Sequence, residues 1–554
     1  MIKKILFLLI CTLFLGTTVF AQNNPRYLIL YKDKTGTPFS ADKPTDFLSQ
    51  RSVARRTKQN IPVTVNDLPV NPAYVTAIRQ TGASVIYSSR WFNGSLVEAS
   101  AAQLEQIKKL NFYKGIELDL PVANLTLPSS GVVRTEAVRN KFETTEDLDY
   151  GRMRDQLVLM GVDILHQRGI HGENMIIAVL DNGFSQGNQV PFLKPLFDEK
   201  RIIDTQDFIG REANVYNDGT HGLHVLSTMA AYLPSTMIGA AFKATYALYR
   251  TESDAIESPY EEITWLIAAE RADSLGADII NSSLGYYNFD GEFNTPAYNY
   301  TYDDMDGKTT IISRAARFAS RKGMVVTNSA GNEGSNSWRY IVAPADVDSV
   351  LTVGAVNYDR SYALLSSIGP NAAGQRKPDV AAVGAGAVIG NVSGTVSTAN
   401  GTSFSSPLMA GFCAVLWQAY PNLTAQQLIS VVKKSGHLAA APDNRLGYGV
   451  PSVTAADQIM ATEYGPLGTE KDLLSTIILS PNPTEKDLIL TIPETLVGKK
   501  ASVQIIGASG NTLSGYNIRL EKQTNVNVTF LSTGLYVLNL KIGTMERSLK
   551  FIKR

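Results

Sequence analysis

The stretch GTSFSSP, Gly401 to Pro407, places three serines within four positions. A serine hydroxyl is a weak nucleophile unless a base takes its proton, and the base needs a third group to hold its tautomer and orientation. The chain has only five histidines, so candidates for the base are few. His166 and His171 sit in and just after the helix-like QLVLMGVDILHQRG, and His437 follows AQQLISVVKKSG; surface or helix-end roles are expected for all three. His221 and His224 lie in GTHGLHVLSTMAAYL, where a glycine-containing turn leads into an apolar helix. A histidine in that first turn projects from a sheet edge. The strand MIIAVLD ends in Asp181, followed by Asn182-Gly183, where a carboxylate is either a turn former or the third group. Taken singly, each signal is weak.

The elements that must position these residues are legible around them. From about Gly151 to Thr462, short runs rich in β-branched residues (MIIAVLD, ADIINSSLG, GMVVTNSAGN, SVLTVGAV) alternate with helix-like stretches such as SPYEEITWLIAAERADSLG and TTIISRAARFASRKG. Alternation of this kind predicts an α/β unit, a parallel sheet with helices on both faces, and sites at the carboxyl ends of its strands. Before it, RYLILYKDK and SVIYSSRWFNGSLVEAS read as strands, and NPAYVTAIRQTG and AAQLEQIKKL as helices, giving a small α+β module over residues 22–122 and a polar linker over 123–150. The tail, residues 473–554, alternates apolar and polar residues between turn signals, as a β-sandwich does.

Composition narrows the function classes. With 51 basic and 51 acidic residues, no net field points to nucleic acid or to an anionic membrane. The start, MIKKILFLLICTLFLGTTVFAQ, has the layout of a secretory signal peptide over residues 1–21. A membrane anchor is the alternative, but the apolar run falls short of the ~20 residues a span requires. Cys11 leaves with the signal, so Cys413 has no partner for an internal disulfide.

Taken together, AVLDNG, HGLHV, NSAGN and GTSFSSP resemble the subtilisin-like serine proteases, in the chain order Asp, His, Asn, Ser. The resemblance implies Ser403 as nucleophile, His221 as general base, Asp181 as its orienting carboxylate and Asn332 as the side-chain donor of the oxyanion hole. His224 is then a structural neighbour, while Ser405 and Ser406 belong to the helix behind the nucleophile. Pro407 is expected in that helix's first turn. The resemblance also makes Ser283, Leu284 and Gly285, with Ser329, Ala330 and Gly331, the two backbone walls of the primary specificity pocket.

There are departures. Asn182 stands where Thr or Ser usually follows the aspartate, Leu223 where Thr is usual between the histidines, Ser227 where Gly often follows, and Phe404 where Met is commoner. None removes a proton-transfer or oxyanion group. No cofactor is required for this chemistry, and a structural calcium is possible, its ligands unknown. Asp303, Asp304 and Asp306 form an Asp-rich turn without a full calcium-loop pattern.

The flanking modules acquire roles by the same resemblance. The first becomes an N-terminal propeptide, cut somewhere between Pro121 and Tyr150. Its Arg51, Arg55 and Arg56 read as a solvated helix face in preference to a basic processing site. In the tail, Ser480-Pro481-Asn482-Pro483-Thr484, the turn ASGNTLSG, Gly534-Leu535-Tyr536-Val537 and the basic end Lys550 to Arg554 resemble the sorting domain of the type IX secretion system of Bacteroidota. A carbohydrate- or surface-binding sandwich is the alternative. The expectation is therefore a serine endopeptidase, secreted or attached to the outer-membrane surface, whose partners are polypeptide substrates, its own propeptide and the type IX machinery, with no nucleic acid. The rival is a surface-binding protein on a catalytically dead form of the fold; retention of all four groups argues against decay.

Overall fold

Strands of β-branched residues and helices with an apolar face assemble, in a computed structural model, as their alternation requires. The structure describes residues 24–123, 148–464, 474, 477–493, 496–507, 509–543 and 545–554. The expected signal peptide and nearly all of the expected linker, with its cut, lie outside the described residues. Among the described residues no helix is long and apolar enough to cross a membrane. The chain divides into two compact units, Met1–Ala456 and Asp457–Arg554.

The first unit opens with β1 (Arg26–Tyr31), α1 (Gln50–Lys58), α2 (Pro72–Gln80), β2 (Ser84–Ser89), β3 (Gly94–Glu98), α3 (Ala101–Ile107) and β4 (Tyr113–Ile116). The strands form an antiparallel sheet in the order β2-β3-β1-β4. Ser100 and Gln103 close a capping box at the start of α3, which satisfies amides that the helix cannot. Ile29, Tyr31, Ile78, Val97, Leu104 and Ile107 make the module's own core.

The rest of the unit contains α4 (Arg154–Val158), α5 (Val162–Gln167), β5 (Ile176–Asp181), α6 (Lys194–Asp198), β6 (Ile202–Asp207), α7 (His221–Ala230), β7 (Tyr232–Leu233), β8 (Met237–Ile238), β9 (Thr245–Arg250), α8 (Pro259–Leu275) and β10 (Ile279–Ser282). It continues with α9 (Ile311–Arg321), β11 (Val325–Ser329), β12 (Leu351–Val356), β13 (Val380–Val383), β14 (Ala387–Gly390), β15 (Val396–Ala399), α10 (Thr402–Ala419) and α11 (Ala425–Lys434), and the division between the units falls within α12 (Val453–Glu463). Seven strands form one parallel sheet, ordered β13-β12-β11-β10-β5-β9-β6. Every residue of β5, β10, β11, β12 and β13 is buried, because both faces are covered. Ala178, Leu180, Ile280 and Val326 point to α8 and α9, where Trp265, Leu266, Ile312 and Ala315 receive them. Helices α7 and α10 pack on the other face.

The second unit holds β16 (Ile478–Ser480), β17 (Asp487–Thr491), β18 (Lys500–Ile506), β19 (Thr512–Arg519), β20 (Gln523–Asn527), β21 (Gly534–Ile542) and β22 (Met545–Lys553). Two antiparallel sheets, β16-β17-β20 and β19-β18-β21-β22, close on one core of alternate residues that includes Leu488, Leu490, Val503, Ile505, Leu538 and Leu540.

Two expectations fail for tertiary reasons. The stretch containing His166 is broken into α4 and α5 at Gly161, whose φ is 75°. His166 and His171 are buried, not on the surface, and both rings pack on Phe242. Burial holds the His166 imidazole down at about 4, and it hydrogen-bonds Tyr150 Oη at 2.9 Å and the Ala240 carbonyl at 3.1 Å. The second correction concerns α1. Arg55 and Arg56 are buried in a charge network and do not form a solvated face.

That network joins the N-terminal module to α8 and α9. Asp273, fully buried, receives Arg55 at 2.5 Å, Arg56 at 2.6 Å and Arg90 at 2.6 Å. Asp67 receives Arg56 at 3.0 Å and Lys322 at 2.7 Å. Glu270 accepts from Ser89 Oγ and from the amides of Arg90 and Trp91. Ser49 caps the far end of α8, its N–H donating to the Ser274 carbonyl and its hydroxyl to that of Leu275. Trp91 stacks on Phe318 with ring centres 5.8 Å apart. Removing one member of a buried ion network costs about 3–5 kcal/mol, because its partners stay buried and unpaired. Asp273→Ala is therefore expected to weaken the module's hold on the body of the unit by about 10²- to 10⁴-fold. Once the chain is cut within residues 124–147, gel filtration at micromolar concentration should show wild type as one species and the variant as two.

Candidate active site

The carboxyl ends of the central strands bring the sequence-selected residues to one edge of the sheet. Asp181 ends β5, Ser283 follows β10 directly, and Ser329 ends β11. The N-termini of α7 and α10 deliver His221 and Ser403 to the same edge. Sites in open α/β sheets lie where strands end, because the helices that follow leave backbone and side chains exposed there.

Asp181 is fully buried, whereas 31% of the His221 side chain remains exposed. His221 Nδ1 lies 2.7 Å from Asp181 Oδ1, which also accepts from the Asn182 amide at 2.9 Å. Burial opposes a charge on the imidazole. The carboxylate and hydrogen bond of Asp181, with the charges of Glu252 and Asp254, overcome it and push His221 up to about 9. Nδ1 is thus committed to the carboxylate, and Nε2 is left to exchange a proton with a substrate-side group.

The helix carrying His221 receives no side-chain cap from Thr220. Asn182 supplies it, its Oδ1 accepting from the amides of His221 at 3.1 Å and Gly222 at 3.3 Å. Its Nδ2 donates to Asp254 Oδ1 at 2.7 Å. The segments meet so closely that a Cβ on Gly183, at φ 134°, would lie 1.9 Å from the Asp218 carbonyl oxygen. Arg250, in register with Asp181 on β9, donates from Nε to the Asn182 carbonyl at 2.9 Å and from Nη1 to Asp207 at 2.8 Å.

Ser403 is the second residue of α10. Its hydroxyl donates to the Ser283 carbonyl at 3.4 Å, and the Ser283 hydroxyl donates to the Ser403 carbonyl at 2.9 Å. Pro407 is not in the first turn as expected; it sits inside α10. A proline there has no N–H for the carbonyl four residues back, that of Ser403, and Ser283 Oγ takes the vacated position. Ser405 and Ser406 are buried behind, bonded to the Ala382 carbonyl and to Asn281.

Asn332 Oδ1 accepts from the Thr402 amide at 2.9 Å and the Thr402 hydroxyl at 3.0 Å. Its Nδ2 is thereby turned toward Gly401, where a Cβ would sit 3.7 Å from it. Beside it, the Gly331 amide donates to Thr402 Oγ1 at 3.2 Å. Ala330 and Leu284 are buried, Asn328 Nδ2 holds the carbonyls of Leu284 and Ser329, and Gly285 abuts Val342. The two segments expected as walls, Ser283–Gly285 and Ser329–Gly331, thus each bond to the α10 N-terminus, through Ser283 and Gly331.

The Asp-rich turn is built from its own backbone. Asp304 caps Thr301, and Asp306 accepts from the amides of Lys308 and Thr309. Among the described residues, Asp207, Glu212 and Asp218 form a group close enough to share a metal. The Arg250 guanidinium already lies 2.8 Å from Asp207 and 3.6 Å from Asp218, and the amides of Ile209 and Gly210 take the other Asp207 oxygen. A donor set neutralised in this way does not fit a hard cation, which needs six to eight free oxygens.

Sequence reasoning passed over Asn182, Arg250, Thr402 and the Ser283 side chain. Asn182 alone carried a signal: an asparagine directly after a strand-end aspartate is a ready cap for an incoming helix.

Residues 172–449 match the description "Subtilase family", residues 26–133 "Peptidase S8 propeptide domain, Bacteroidota", and residues 479–554 "Secretion system C-terminal sorting domain". Subtilisin DY of Bacillus licheniformis is 28% identical over 272 residues, covering 49% of this chain and 86% of that protein. Subtilisin of Bacillus pumilus is 31% identical over 269 residues, covering 48% and 84%. Among solved structures, MycP1 from Mycobacterium smegmatis aligns with a TM-score of 0.45 at 21% identity, over 56% of this chain and 86% of that one. The chain belongs to the subtilase family: it is a subtilisin-like serine endopeptidase carrying an N-terminal propeptide and a C-terminal secretion sorting domain.

Proposed function

We propose that Ser403 is the nucleophile, His221 the general base, Asp181 its orienting carboxylate, and Asn332 with the Ser403 amide the oxyanion hole. The observation that carries this reading is the 2.7 Å hydrogen bond from His221 to a buried Asp181, at the strand edge that also receives the α10 N-terminus. In the first step Ser403 Oγ leaves the Ser283 carbonyl, gives its proton to His221 Nε2 and attacks the scissile carbonyl. The oxyanion meets Asn332 Nδ2, whose own oxygen is held by Thr402, and an unpaired amide of the α10 first turn. His221 returns the proton to the leaving amine. Water then repeats the sequence on the acyl-enzyme. The Ser283–Gly285 and Ser329–Gly331 backbones take the extended substrate between them.

No cofactor enters these steps. The sorting domain marks the protein for export; the finer reading is export by the residue 1–21 signal, passage through the type IX machinery, and release or attachment at the outer surface.

Three outcomes test the assignment. Ser403→Ala, made as a precursor without residues 1–21, should retain its propeptide by intact mass and take no fluorophosphonate label, whereas wild type does both the reverse. Loss of this nucleophile costs about 10⁶-fold in subtilisin itself. Asn332→Ala should lower kcat by about 10²- to 10³-fold, a range also taken from subtilisin, with little change in KM. The base works only when neutral, and its imidazole is held above the ordinary 6.5, toward about 9. The acid limb of kcat/KM should therefore have its midpoint clearly above pH 6.5, and a midpoint at or below 6.5 counts against His221.

A further inference from the structure

We propose that the Arg250 guanidinium is the built-in cation of the group formed by Asp207, Glu212 and Asp218, doing there what a divalent metal ion would otherwise do, and that it is a positioning residue for the Asp181–His221 pair. The proposal rests on the peptidase reading and deepens it: at this place in the fold, the alignment of the pair is made independent of metal.

The three acids belong to segments that meet beside the pair. Asp207 ends β6, and Glu212 closes the turn that follows it, each donating its amide to the other's carbonyl. Asp218 lies in segment 214–220, which leads into α7. That segment runs against the chain leaving β5: the amides of Phe184, Ser185 and Gln186 donate to the carbonyls of Val215, Gly219 and Tyr216. The contact is close enough that a Cβ on Gly219 would lie 2.1 Å from the Asn182 carbonyl oxygen. One carboxylate oxygen from each of the three acids lies within 4.8 Å of the others. Asp207 is only 1% exposed, so water and salt screen their repulsion poorly. Segments gathered in this way need a cation between them.

Arg250 supplies it. On β9, Ala247 and Tyr249 join the core beneath α8, so by alternation Arg250 faces the other way, toward α7. Its Nη1 lies 2.8 Å from Asp207 Oδ2 and 3.6 Å from Asp218 Oδ2, and its Nε donates to the Asn182 carbonyl at 2.9 Å. One planar fork thus ties together the end of β5, the end of β6 and the approach to α7. Among the described residues no other cation pairs with Asp207 or Asp218. From the fork the path to the pair is short. Asn182, held by its carbonyl, places Oδ1 on the amides of His221 and Gly222 and its own amide on Asp181 Oδ1. A bound ion can dissociate or be chelated; a side chain anchored in β9 cannot.

The same geometry states what the loss of the guanidinium should do. Asp207 Oδ2, the Asn182 carbonyl and the carboxylates of Asp218 and Glu212 would then be oxygens around one gap, a donor set that suits a hard cation completed by water. Removing Arg250 should therefore make the enzyme respond to calcium.

The experiment uses matured wild type, Arg250→Gln and Arg250→Lys, assayed on one peptide after chelation with EDTA and again with excess calcium. In chelator, Arg250→Gln should lose about 10- to 100-fold in kcat with little change in KM, the worth of a charge-assisted hydrogen bond. Calcium should return most of that loss, so that its effect on the variant exceeds its effect on wild type by about tenfold or more. The comparison cancels any ion bound elsewhere, and recovery by an added cation is a result that a merely structural arginine would not give. Arg250→Gln as active as wild type in chelator overturns the proposal, and so does a loss that calcium leaves unchanged. Arg250→Lys, which keeps the charge, serves where Arg250→Gln fails to fold. It should respond to calcium no more than wild type does, and a larger response overturns the proposal. In each of these outcomes the peptidase reading stands on the activity of wild type. If wild type cleaves no peptide and takes no fluorophosphonate label, both readings fall.

Discussion

Everything at this edge of the sheet depends on holding the His221 imidazole against a carboxylate that has been taken out of water. Asp181 is inaccessible and His221 is not, so the pair can form only if the end of β5 and the start of α7 are held firmly together. Three contacts do this. Asn182 uses one oxygen to cap two amides of α7, Gly183 and Gly219 let the two segments touch without a Cβ, and Arg250 holds the Asn182 carbonyl from the neighbouring strand. The departure from Thr or Ser at residue 182 is thereby explained. A carboxamide accepts from the helix and donates to Asp254 at the same time, reaching further than a hydroxyl, and so couples the histidine's anchor to the acidic segment that raises its basicity.

The propeptide interface uses the opposite economy. Its apolar contacts, Trp91 on Phe318 and Leu28, Leu96 and Val122 on Tyr260 and Ile263, provide area, but the register is set by charge. Asp273 gathers three arginines from two separate parts of the module, α1 and the β2–β3 turn, so the helix and the sheet must both be folded for any of the three to be paired. Charges buried in this manner contribute little net stability against an apolar replacement, yet they penalise every misaligned complex heavily. For a module that is to separate from its partner, such a lock serves better than more apolar area, because on separation Asp273, Arg55, Arg56 and Arg90 all return to water.

The strands, the helices and the meeting of Asp181, His221, Asn332 and Ser403 at one sheet edge were legible because each rests on local pattern: short β-branched runs ending in Asp181 or Ser329, and a helix opening on His221. Local pattern failed where the deciding partner lies far along the chain. Arg55 and Arg56 look solvated until Asp273, more than 200 residues away, is placed beside them. His166 looks like a helix-end residue until Phe242 and the Ala240 carbonyl enclose it. The Asp-rich turn at 303–306 looks like a candidate ion site until its own amides are seen to occupy it.

Pro407 belongs to the same class of failure and carries the most consequence. Read locally, a proline six residues into a helix is a defect. In the folded chain it frees the Ser403 carbonyl, which then takes the Ser283 hydroxyl, while Ser403 Oγ rests on the Ser283 carbonyl. The proposed nucleophile and the first residue of the proposed substrate wall are therefore joined by a reciprocal pair of bonds. On the proposed mechanism, a peptide strand adding to that wall takes the Ser283 carbonyl for its own N–H and so displaces the Ser403 hydroxyl. The other bond, from Ser283 Oγ to the Ser403 carbonyl, survives and keeps the helix start in place. On the proposed mechanism, substrate binding then releases the Ser403 hydroxyl toward His221 without loosening its backbone, which couples occupancy of the proposed wall to readiness for attack.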